Sequence, residues 1–387
     1  MKKVIILSCS TGQGHNSCAR ALQEYFWQQG VACDICDALA FLSKGFAKLI
    51  SWGHSCMYRH FPGLFRWGYR YSETHQEVFR QGSWVCKLLA VGANRLYRHL
   101  VLGRYDTVLC THVFSAIMVS QLLRRRPLAV ETGFVATDYT DYPGMESCPL
   151  GRCFIAGESL AEGYARQGVP RQTIVSTGIP VRQDFFEKLD KAEAKRQLQL
   201  REEERHLLVM CGSMGCGPIR DILGHLTAEL PRQVHVTVIC GTNRRLYRQL
   251  YRRYGANSRI HLVGYTHRVP LYMDAADLYV TKPGGISVTE AAAKHLPMLF
   301  VDAVAGCEEY NMEFFLRRGC AATAATPEKL ARLALHLLGD EEERKRMEGH
   351  LVEYCQPNGA ERIYRELACR PGGREEPMPL KGGEPHG

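Results

Sequence analysis

The feature that most constrains the fold of this chain is the alternation of strand-like and helix-like segments along its first half. Short apolar runs predict five strands, at residues 3–8, 31–37, 107–111, 128–136 and 152–156. Between the first two, residues 17–29 carry apolar side chains at helical spacing. Strands that alternate with helices pair in parallel, because each helix returns the chain to the start of the next strand. We therefore predict a doubly wound α/β sheet in this half.

A second alternating series predicts a second sheet, with strands at residues 206–211, 234–240, 260–263, 278–281 and 298–301. We assign residues 1–183 and 206–352 to two Rossmann-like domains, 184–205 to a charge-rich, solvated interdomain helix and 353–369 to a terminal helix. Residues 370–387 contain 9 Gly or Pro among 18 and are expected to be disordered. Ligands of doubly wound sheets bind at the carboxyl ends of the strands, so a cleft between the domains is the predicted site.

Composition limits the class of protein. The chain has 387 residues, enough for two domains, with 45% hydrophobic and 23% charged residues, as in soluble globular proteins. No apolar run approaches the ~20 residues of a membrane-spanning helix. The run at residues 4–7 is too short for a signal peptide and is assigned to the first strand.

Cysteines and net charge indicate compartment and partners. The sixteen cysteines include Cys33 and Cys36 in a CxxC, but they lack the paired spacing of a zinc site. We expect reduced, structural thiols and a cytoplasmic location. The formal charge of +9 favours an anionic partner, either a nucleotide-bearing substrate or a membrane surface. No recognition motif supports nucleic acid as a partner.

A glycine-rich loop, Gly284-Gly285, follows the predicted strand 278–281 and precedes a helix predicted over 288–295. The glycines let the backbone approach a ligand, and the helix start offers N–H groups and a positive dipole end to a phosphate. Glu290 would lie about one turn into the helix, where a carboxylate can accept hydrogen bonds from two ribose hydroxyls. The alternative is a capping box, with Ser287 as the cap and Glu290 three residues later.

Another glycine loop lies earlier in the chain, at residues 212–217; it ends the strand predicted at 206–211 and contains Gly212, Ser213 and Gly215. Taken alone, it could be an ordinary strand-to-helix turn. Two such loops in one Rossmann-like half could instead reach a diphosphate from opposite sides, which favours a nucleotide site over a helix cap.

The donor-half motifs resemble a known family. Gly212 to Gly217, Cys240-Gly241-Thr242-Asn243, Val263-Gly264-Tyr265, residues 273–277 and residues 284–290 occur in the order and spacing of that family. It groups the lipid II-forming N-acetylglucosaminyltransferase with the monogalactosyldiacylglycerol synthases and processive diacylglycerol glucosyltransferases. Ala305-Gly306-Cys307-Glu308-Glu309-Tyr310-Asn311 resembles the Ala-Gly-Gln-Glu-x-x-Asn element of the diacylglycerol enzymes. The resemblance covers nearly the whole chain.

The resemblance implies a GT-B fold, with two Rossmann-like domains facing across a cleft, and transfer of a hexose from a UDP-sugar to a lipid acceptor, first of all diacylglycerol. It places Glu290 at the ribose, residues 265–269 at the uracil, and Glu308 and Asn311 at the sugar. Cys307 replaces the family's glutamine, which leaves the identity of the sugar open. The full donor-binding set predicted here is Gly12, Gly14, Gly212, Ser213, Gly215, Asn243, Tyr265, Val269, Gly284, Gly285, Ser287, Thr289, Glu290, Glu308 and Asn311.

The acceptor side carries Ser10-Thr11-Gly12-Gln13-Gly14-His15, which resembles the family's Gly-x-Gly-His motif. Sugar transfer needs a base near the acceptor hydroxyl, and histidine accepts protons near neutral pH. His15 is the first candidate for this base and Asp138 the second, although His15 could be an ordinary loop histidine and Asp138 a turn or helix cap. The His and Trp that usually follow the family's Thr-Asp are missing from residues 139–144.

Residues 38–72 contain no Asp or Glu, five Lys or Arg, and several aromatic residues. This composition suits contact with an anionic bilayer, so we expect the protein to associate peripherally with the inner face of the membrane. The alternative is a buried helix pair with incidental basic residues.

The sequence has no Asp-x-Asp, so we expect no metal and no cofactor, with departing UDP stabilised by backbone amides, a helix dipole and Lys282 or Arg244. The sequence admits three other functions. A dehydrogenase would use Gly12-x-Gly14 with Asp34 or Asp37, but Ser17 replaces the third glycine. A UDP-sugar 2-epimerase shares the two-half architecture, and a nucleotide-sugar-binding protein would bind without turnover. An acceptor other than diacylglycerol, lipid-linked or small, also stays open.

Overall fold

The computed structural model describes residues 1–9, 13–43, 82–303, 306–354 and 358–369, with four isolated positions between 45 and 64. Gly12, the tail 370–387 and most of the basic segment 38–72 lie outside the described residues. The described chain forms two six-stranded parallel sheets with helices on both faces, which confirms the predicted fold class. Within this part of the chain, no helix is both long enough and apolar enough to cross a bilayer.

The first sheet has the strand order β2-β1-β3-β4-β5-β6, and every neighbouring pair is parallel. Its elements in chain order are β1 (Lys3–Ser8), α1 (Gln13–Gln28), β2 (Ala32–Asp37), α2 (Trp84–Val91), α3 (Ala93–Gly103), β3 (Thr107–Cys110), α4 (Val113–Arg125), β4 (Glu131–Val135), β5 (Arg152–Ile155), α5 (Ala161–Arg166) and β6 (Ile174–Ser176). Short 3-10 turns lie at Ala38–Phe41, Met145–Ser147, Glu158–Leu160, Arg171–Thr173 and Gln183–Phe185.

The second sheet has the order β12-β11-β10-β7-β8-β9 and is again parallel throughout. Its elements are α6 (Lys191–Gln197), β7 (Arg205–Val209), α7 (Ile219–Ala228), β8 (Val234–Ile239), α8 (Arg244–Tyr254), β9 (Ile260–Val263), α9 (Val269–Ala275), β10 (Leu278–Thr281), α10 (Gly285–Ala293), β11 (Met298–Phe300), α11 (Cys307–Leu316), β12 (Ala321–Thr323), α12 (Pro327–Gly339) and α13 (Glu341–Tyr354). A last helix, α14 (Gly359–Ala368), follows.

All ten predicted strands are present, and the pattern missed β6 and β12, which have only three residues each. The charge-rich segment 184–205 forms a helix only over α6. One of its charged side chains, Lys195, is 4% exposed and lies 3.6 Å from Oδ2 of Asp277. The helix therefore packs on the second domain through a buried ion pair, with only its other face in solvent.

Alternate side chains of β1 fill both layers of the first domain, as the twofold period of a strand requires. Val4 and Ile6 pack with α1, whereas Ile5 and Leu7 pack with helices on the other face. The terminal helix α14 returns to this domain, and Ile363 joins the layer that contains Phe26 of α1. The chain therefore passes twice between the domains.

Each sheet has a point where the strand order reverses, and these points fix where a ligand can bind. In the first sheet the reversal lies between β1 and β3, and in the second between β7 and β10. The loops that leave these strands at their carboxyl ends face one another across a cleft.

Candidate active site

The cleft between the domains has a volume of about 820 Å³ and is lined from both sides. The first domain contributes residues that follow β1, β3 and β4, and the second contributes the two glycine loops. A cleft of this size lies within the range of small-molecule sites in proteins.

The first glycine loop of the donor half, residues 212–217, is held in shape by the loop that follows β8, residues 240–243. Gly212 and Gly215 have φ of 67° and 55°, which favours glycine at both positions. A side chain at Gly215 would also collide with the carbonyl of Cys240. Nδ2 of Asn243 donates to the Gly215 carbonyl at 3.0 Å, while its Oδ1 caps α8 by accepting from Leu246 N. Gly215 and Asn243 therefore hold the loop, and Gly212 and Ser213 line the cleft.

The second glycine loop leads directly into α10, which begins at Gly285 with Gly284 as its N-cap. The helix starts two residues before Ser287, so Ser287 cannot cap it and the capping-box alternative is wrong. Gly284, Gly285, Ser287 and Glu290 line the cleft. The first turn of α10 thus presents its N–H groups at the cleft, as an anion site requires.

Glu290 has an unusual proton affinity for a carboxyl group. Burial raises its pKa to about 8, because the charged form is poorly solvated there; Arg182 lowers the pKa and Asp184 raises it to smaller extents. The carboxyl is therefore largely protonated at neutral pH, and can both donate to and accept from a hydroxyl. Arg182 also lines the cleft and was missed from sequence, since a single arginine after a turn carries no pattern.

A cation lies between the two glycine loops. Nζ of Lys282 is 2.5 Å from Oε1 of Glu308, and the two side chains are only 16% and 12% exposed. The Lys282 chain passes close to Gly212, where an added Cβ would lie 3.0 Å from Cε. Glu308 lies in the first turn of α11, where the helix dipole favours a carboxylate. Both charges border the cleft.

The candidate base His15 lies in the first turn of α1, on the opposite wall. Its Nδ1 is 2.7 Å from the carbonyl oxygen of Thr111 and 3.0 Å from Oγ1 of Thr137. A carbonyl only accepts, so Nδ1 carries the proton and the lone pair of the neutral ring is on Nε2. Burial lowers the pKa of His15, although the nearby Asp138 carboxylate raises it, and the ring is neutral at pH 7.

The second candidate, Asp138, is held by three donors. Its Oδ2 accepts from the Tyr142 hydroxyl at 2.6 Å and from Oγ1 of Thr137 at 3.3 Å. Its Oδ1 accepts from Nδ2 of Asn311 at 2.8 Å. Burial raises the pKa of Tyr142 well above its usual range, so the phenol stays a donor. This arrangement fixes a carboxylate near His15, where its charge favours the imidazolium form.

Asn311, expected to face the sugar, is fully buried behind the cleft wall. Besides Asp138, its Nδ2 donates to the Pro283 carbonyl at 3.0 Å, and its Oδ1 accepts from the Tyr139 amide at 2.7 Å. Thr289 is also buried, with its hydroxyl 2.6 Å from the Gly285 carbonyl and 2.9 Å from the Tyr139 hydroxyl. These two residues join the domains.

The structure thus separates the predicted site residues into two groups. Those that line the cleft are Gly14, His15, Asp138, Gly212, Ser213, Tyr265, Val269, Gly284, Gly285, Ser287, Glu290 and Glu308. Gly215, Asn243, Thr289 and Asn311 support the walls instead. The roles of Thr111 and Thr137 were missed, because nothing in their sequence context marks a residue that becomes a partner only on folding.

Each of the two domains matches a different protein family. Residues 15–181 match the family described as monogalactosyldiacylglycerol (MGDG) synthase, and residues 220–349 match glycosyl transferases group 1.

Two curated relatives are named processive diacylglycerol beta-glucosyltransferase. The Staphylococcus carnosus protein is 29% identical over 250 residues, which is 65% of this chain and 63% of that protein, less than two thirds of its length. The Bacillus cereus protein (strain ATCC 14579) is 26% identical over 382 residues, 98% of this chain and 96% of the relative.

Solved structures share the fold at low sequence identity. Acinetobacter baumannii MurG superposes with a TM-score of 0.64 at 14% identity, covering 95% of this chain and 99% of that one. A UDP-GlcNAc 2-epimerase from Neisseria meningitidis, bound to UDP-GlcNAc, gives 0.61 at 13% identity, with coverage of 95% and 99%.

Two doubly wound sheets that face one cleft, with two glycine loops on its second-domain wall, define the GT-B class of fold, and the match of residues 220–349 to glycosyl transferases group 1 identifies a transferase enzyme. Within that class, the resemblance to the monogalactosyldiacylglycerol synthases and processive diacylglycerol glucosyltransferases, stated from the motifs, is confirmed.

Proposed function

We propose that this chain transfers a hexose from a UDP-sugar to diacylglycerol at the inner face of the membrane, as a step in glycolipid synthesis. The observation that carries the proposal is the pairing, across one cleft, of a neutral histidine with two glycine loops and a helix N-terminus. The names of the relatives support the acceptor class.

The donor lies on the second domain. The glycine loops and the start of α10 bind the diphosphate, Glu290 bonds the ribose hydroxyls, and the exposed ring of Tyr265 with Val269 borders the uracil. Glu308 and Cys307 border the sugar end of the cleft. Because Cys307 stands where the family has glutamine, the choice of hexose depends on this position.

Transfer begins when Nε2 of His15 takes the proton of the acceptor hydroxyl. The resulting oxygen nucleophile forms a bond to the anomeric carbon, and the bond from that carbon to the diphosphate oxygen breaks. UDP leaves with the electron pair, stabilised by the N-terminus of α10 and by Lys282. Asp138, fixed by Tyr142 and Asn311, stabilises the imidazolium of His15.

The acceptor reaches the cleft from a bilayer. Residues 38–72, basic and free of acids, form the membrane contact of the first domain in this proposal. Vesicle co-sedimentation with Lys48 and Trp52 substituted tests the contact. Binding that ignores both salt and these substitutions would favour a buried helix pair.

The function is tested by incubating the purified protein with a panel of UDP-sugars and diacylglycerol-containing vesicles, reading lipids by mass spectrometry. We expect a glycosylated diacylglycerol with one donor, and far less of it from the His15→Gln variant in the same time. Free UDP with an altered sugar and no glycolipid would identify an epimerase. Donor binding without any turnover would identify a binding protein.

A further inference from the structure

The helix α8 carries a surface that the cleft does not explain. Its sequence, RRLYRQLYRRY, has five arginines and no acid in 11 residues. Leu246, Leu250 and Tyr254 are buried against the second sheet. At 100° per residue, the outward direction is occupied by an arginine face, defined as Arg244, Arg245, Arg248 and Arg252, all exposed.

The absence of acids extends well beyond this helix. Residues 230–273 contain eight arginines and neither Asp nor Glu. Several other helices of the described chain pair a base with an acid three or four residues away, as in Arg166–Glu162, Arg196–Glu193, Arg317–Glu313, Arg332–Glu328, Lys345–Glu341 and Arg365–Glu361. Among the residues that the structure describes, the arginine face makes no such pair, and its own helix contains no acid.

This arrangement is unfavourable for the helix itself. Arg244, Arg248 and Arg252 repeat at four-residue spacing, where like charges repel. Arg244 and Arg245 also lie in the first turn, where the helix dipole disfavours cations. A surface that weakens its own helix is explained if an anionic partner removes the repulsion.

Tyrosines beside the arginines indicate the kind of partner. Tyr247 and Tyr251 stack with ring centroids 5.9 Å apart, and Tyr251 is 58% exposed. Tyrosine and arginine side by side on one helix suit the headgroup region of a bilayer, where an amphipathic ring and a cation both find partners. Along its ~16 Å length the helix offers a row of cations to a continuous layer of phosphates.

The arginine face of α8 begins next to the first glycine loop of the donor half. Asn243, which precedes α8, donates to the carbonyl of Gly215 in the donor loop. A bilayer held by this helix therefore lies next to the donor half of the site. We propose that the arginine face of α8 is a second membrane contact, which binds anionic phospholipid headgroups and holds the donor domain at the surface from which the acceptor comes. The inference rests on the proposed function for its biological role, but not for the binding itself.

The test is co-sedimentation of the full chain with vesicles that contain phosphatidylglycerol, against phosphatidylcholine vesicles. The variant replaces Arg245, Arg248 and Arg252 with Gln, leaving Arg244 beside the donor loop intact. We expect binding to anionic vesicles to fall on the order of a hundredfold, because each base near such a surface contributes roughly fivefold. Tyr251→Ser should lower it a further few-fold.

Two control variants match the test. Replacing Arg332, Lys345 and Arg346 with Gln removes the same net charge from other helices and should change binding little. Replacing the three arginines with Lys keeps the charge and should keep binding. Equal vesicle binding by the Gln variant and the unchanged protein would overturn the proposal. It would also be overturned if the Gln variant lost binding to RNA or to an acidic protein while its vesicle binding stayed intact.

Activity on a short-chain, detergent-dispersed diacylglycerol separates this inference from the proposed function. The Gln variant should keep that activity and lose activity on anionic vesicles. If no UDP-sugar yields a glycolipid but the variant still loses vesicle binding, the proposed function fails and the membrane contact stands.

Discussion

Nδ2 of Asn311 donates a 2.8 Å hydrogen bond to Oδ1 of Asp138, and so joins the two domains directly behind the cleft. The same nitrogen donates to the carbonyl of Pro283, immediately before the second glycine loop. One buried amide therefore links the loop that would hold the donor to the carboxylate beside His15. A movement of the second glycine loop should therefore also displace Asp138, and the reverse.

Replacing Asn311 with Ala should break this link. Three buried partners lose a hydrogen bond, and each unsatisfied group costs about 1–3 kcal/mol. We expect a loss of several kcal/mol in the free energy of unfolding, measured with urea, and a lower kcat. Glu313→Gln, on the exposed side of α11, is the control and should change little. A raised KM for the donor with unchanged stability would instead indicate direct contact with the sugar.

Replacing His15 with Gln should lower kcat by about 10²–10⁴, the usual contribution of a general base, while UDP binding stays intact. Because burial lowers the pKa of His15, the acidic limb of the pH–rate profile should fall below pH 6.5. His112→Gln is a matched control, since His112 also lines the cleft but caps α4. Equal losses in the two variants would contradict the assignment of the base.

Glu290 should make stability fall as pH rises. Its pKa in the fold is about 8, above that of an unfolded Glu, so the folded state binds more protons between pH 4.5 and 8. The stability of the protein relative to its Glu290→Gln variant should therefore decrease by up to about 1.4 kcal/mol per pH unit in this window. Urea unfolding at pH 5.5 and 7.5 measures the difference. A constant difference would show that Glu290 is solvated and ionised.

Two buried histidines should make the stability of the protein fall as pH decreases. Burial lowers the pKa of His206 to about 3 and that of His235 to about 4. The unfolded chain binds their protons first, so stability is lost as pH falls from about 6.5 to 4, at up to about 1.4 kcal/mol per unit for each histidine. His235→Gln should remove half of that slope in acid unfolding curves. An unchanged slope would assign the loss to carboxylates.

Transfer should survive an excess of EDTA, because the sequence has no Asp-x-Asp and Lys282 offers a fixed cation for departing UDP. Lys282→Met should lower kcat, because it removes the cation that lies 2.5 Å from Oε1 of Glu308 at the cleft. The Arg244→Gln variant tests the alternative cation. Activity lost with EDTA and restored only by a divalent ion would contradict metal-independent transfer.

Much of this architecture could be read from the sequence, because long apolar strands and glycine loops are local signals. The strands β6 and β12 were missed because three residues show no period. The start of α10 at Gly285 could not be fixed, since Ser287 and Glu290 also fit a capping box. The contacts of His15 with Thr111 and of Asn311 with Asp138 join residues about a hundred or more positions apart, and only folding brings them together.

The return of α14 to the first domain has a mechanical consequence. The start of α14 contacts the first crossing between the domains, because Nδ2 of Asn358 is 2.5 Å from Oε1 of Gln183 and Gly359 is packed against Gly178. Two crossings that contact each other restrict the relative motion of the domains more than a single crossing would. We therefore expect the two domains to open and close about a single hinge axis, so that the donor loops return to the same position opposite His15 each time the cleft closes.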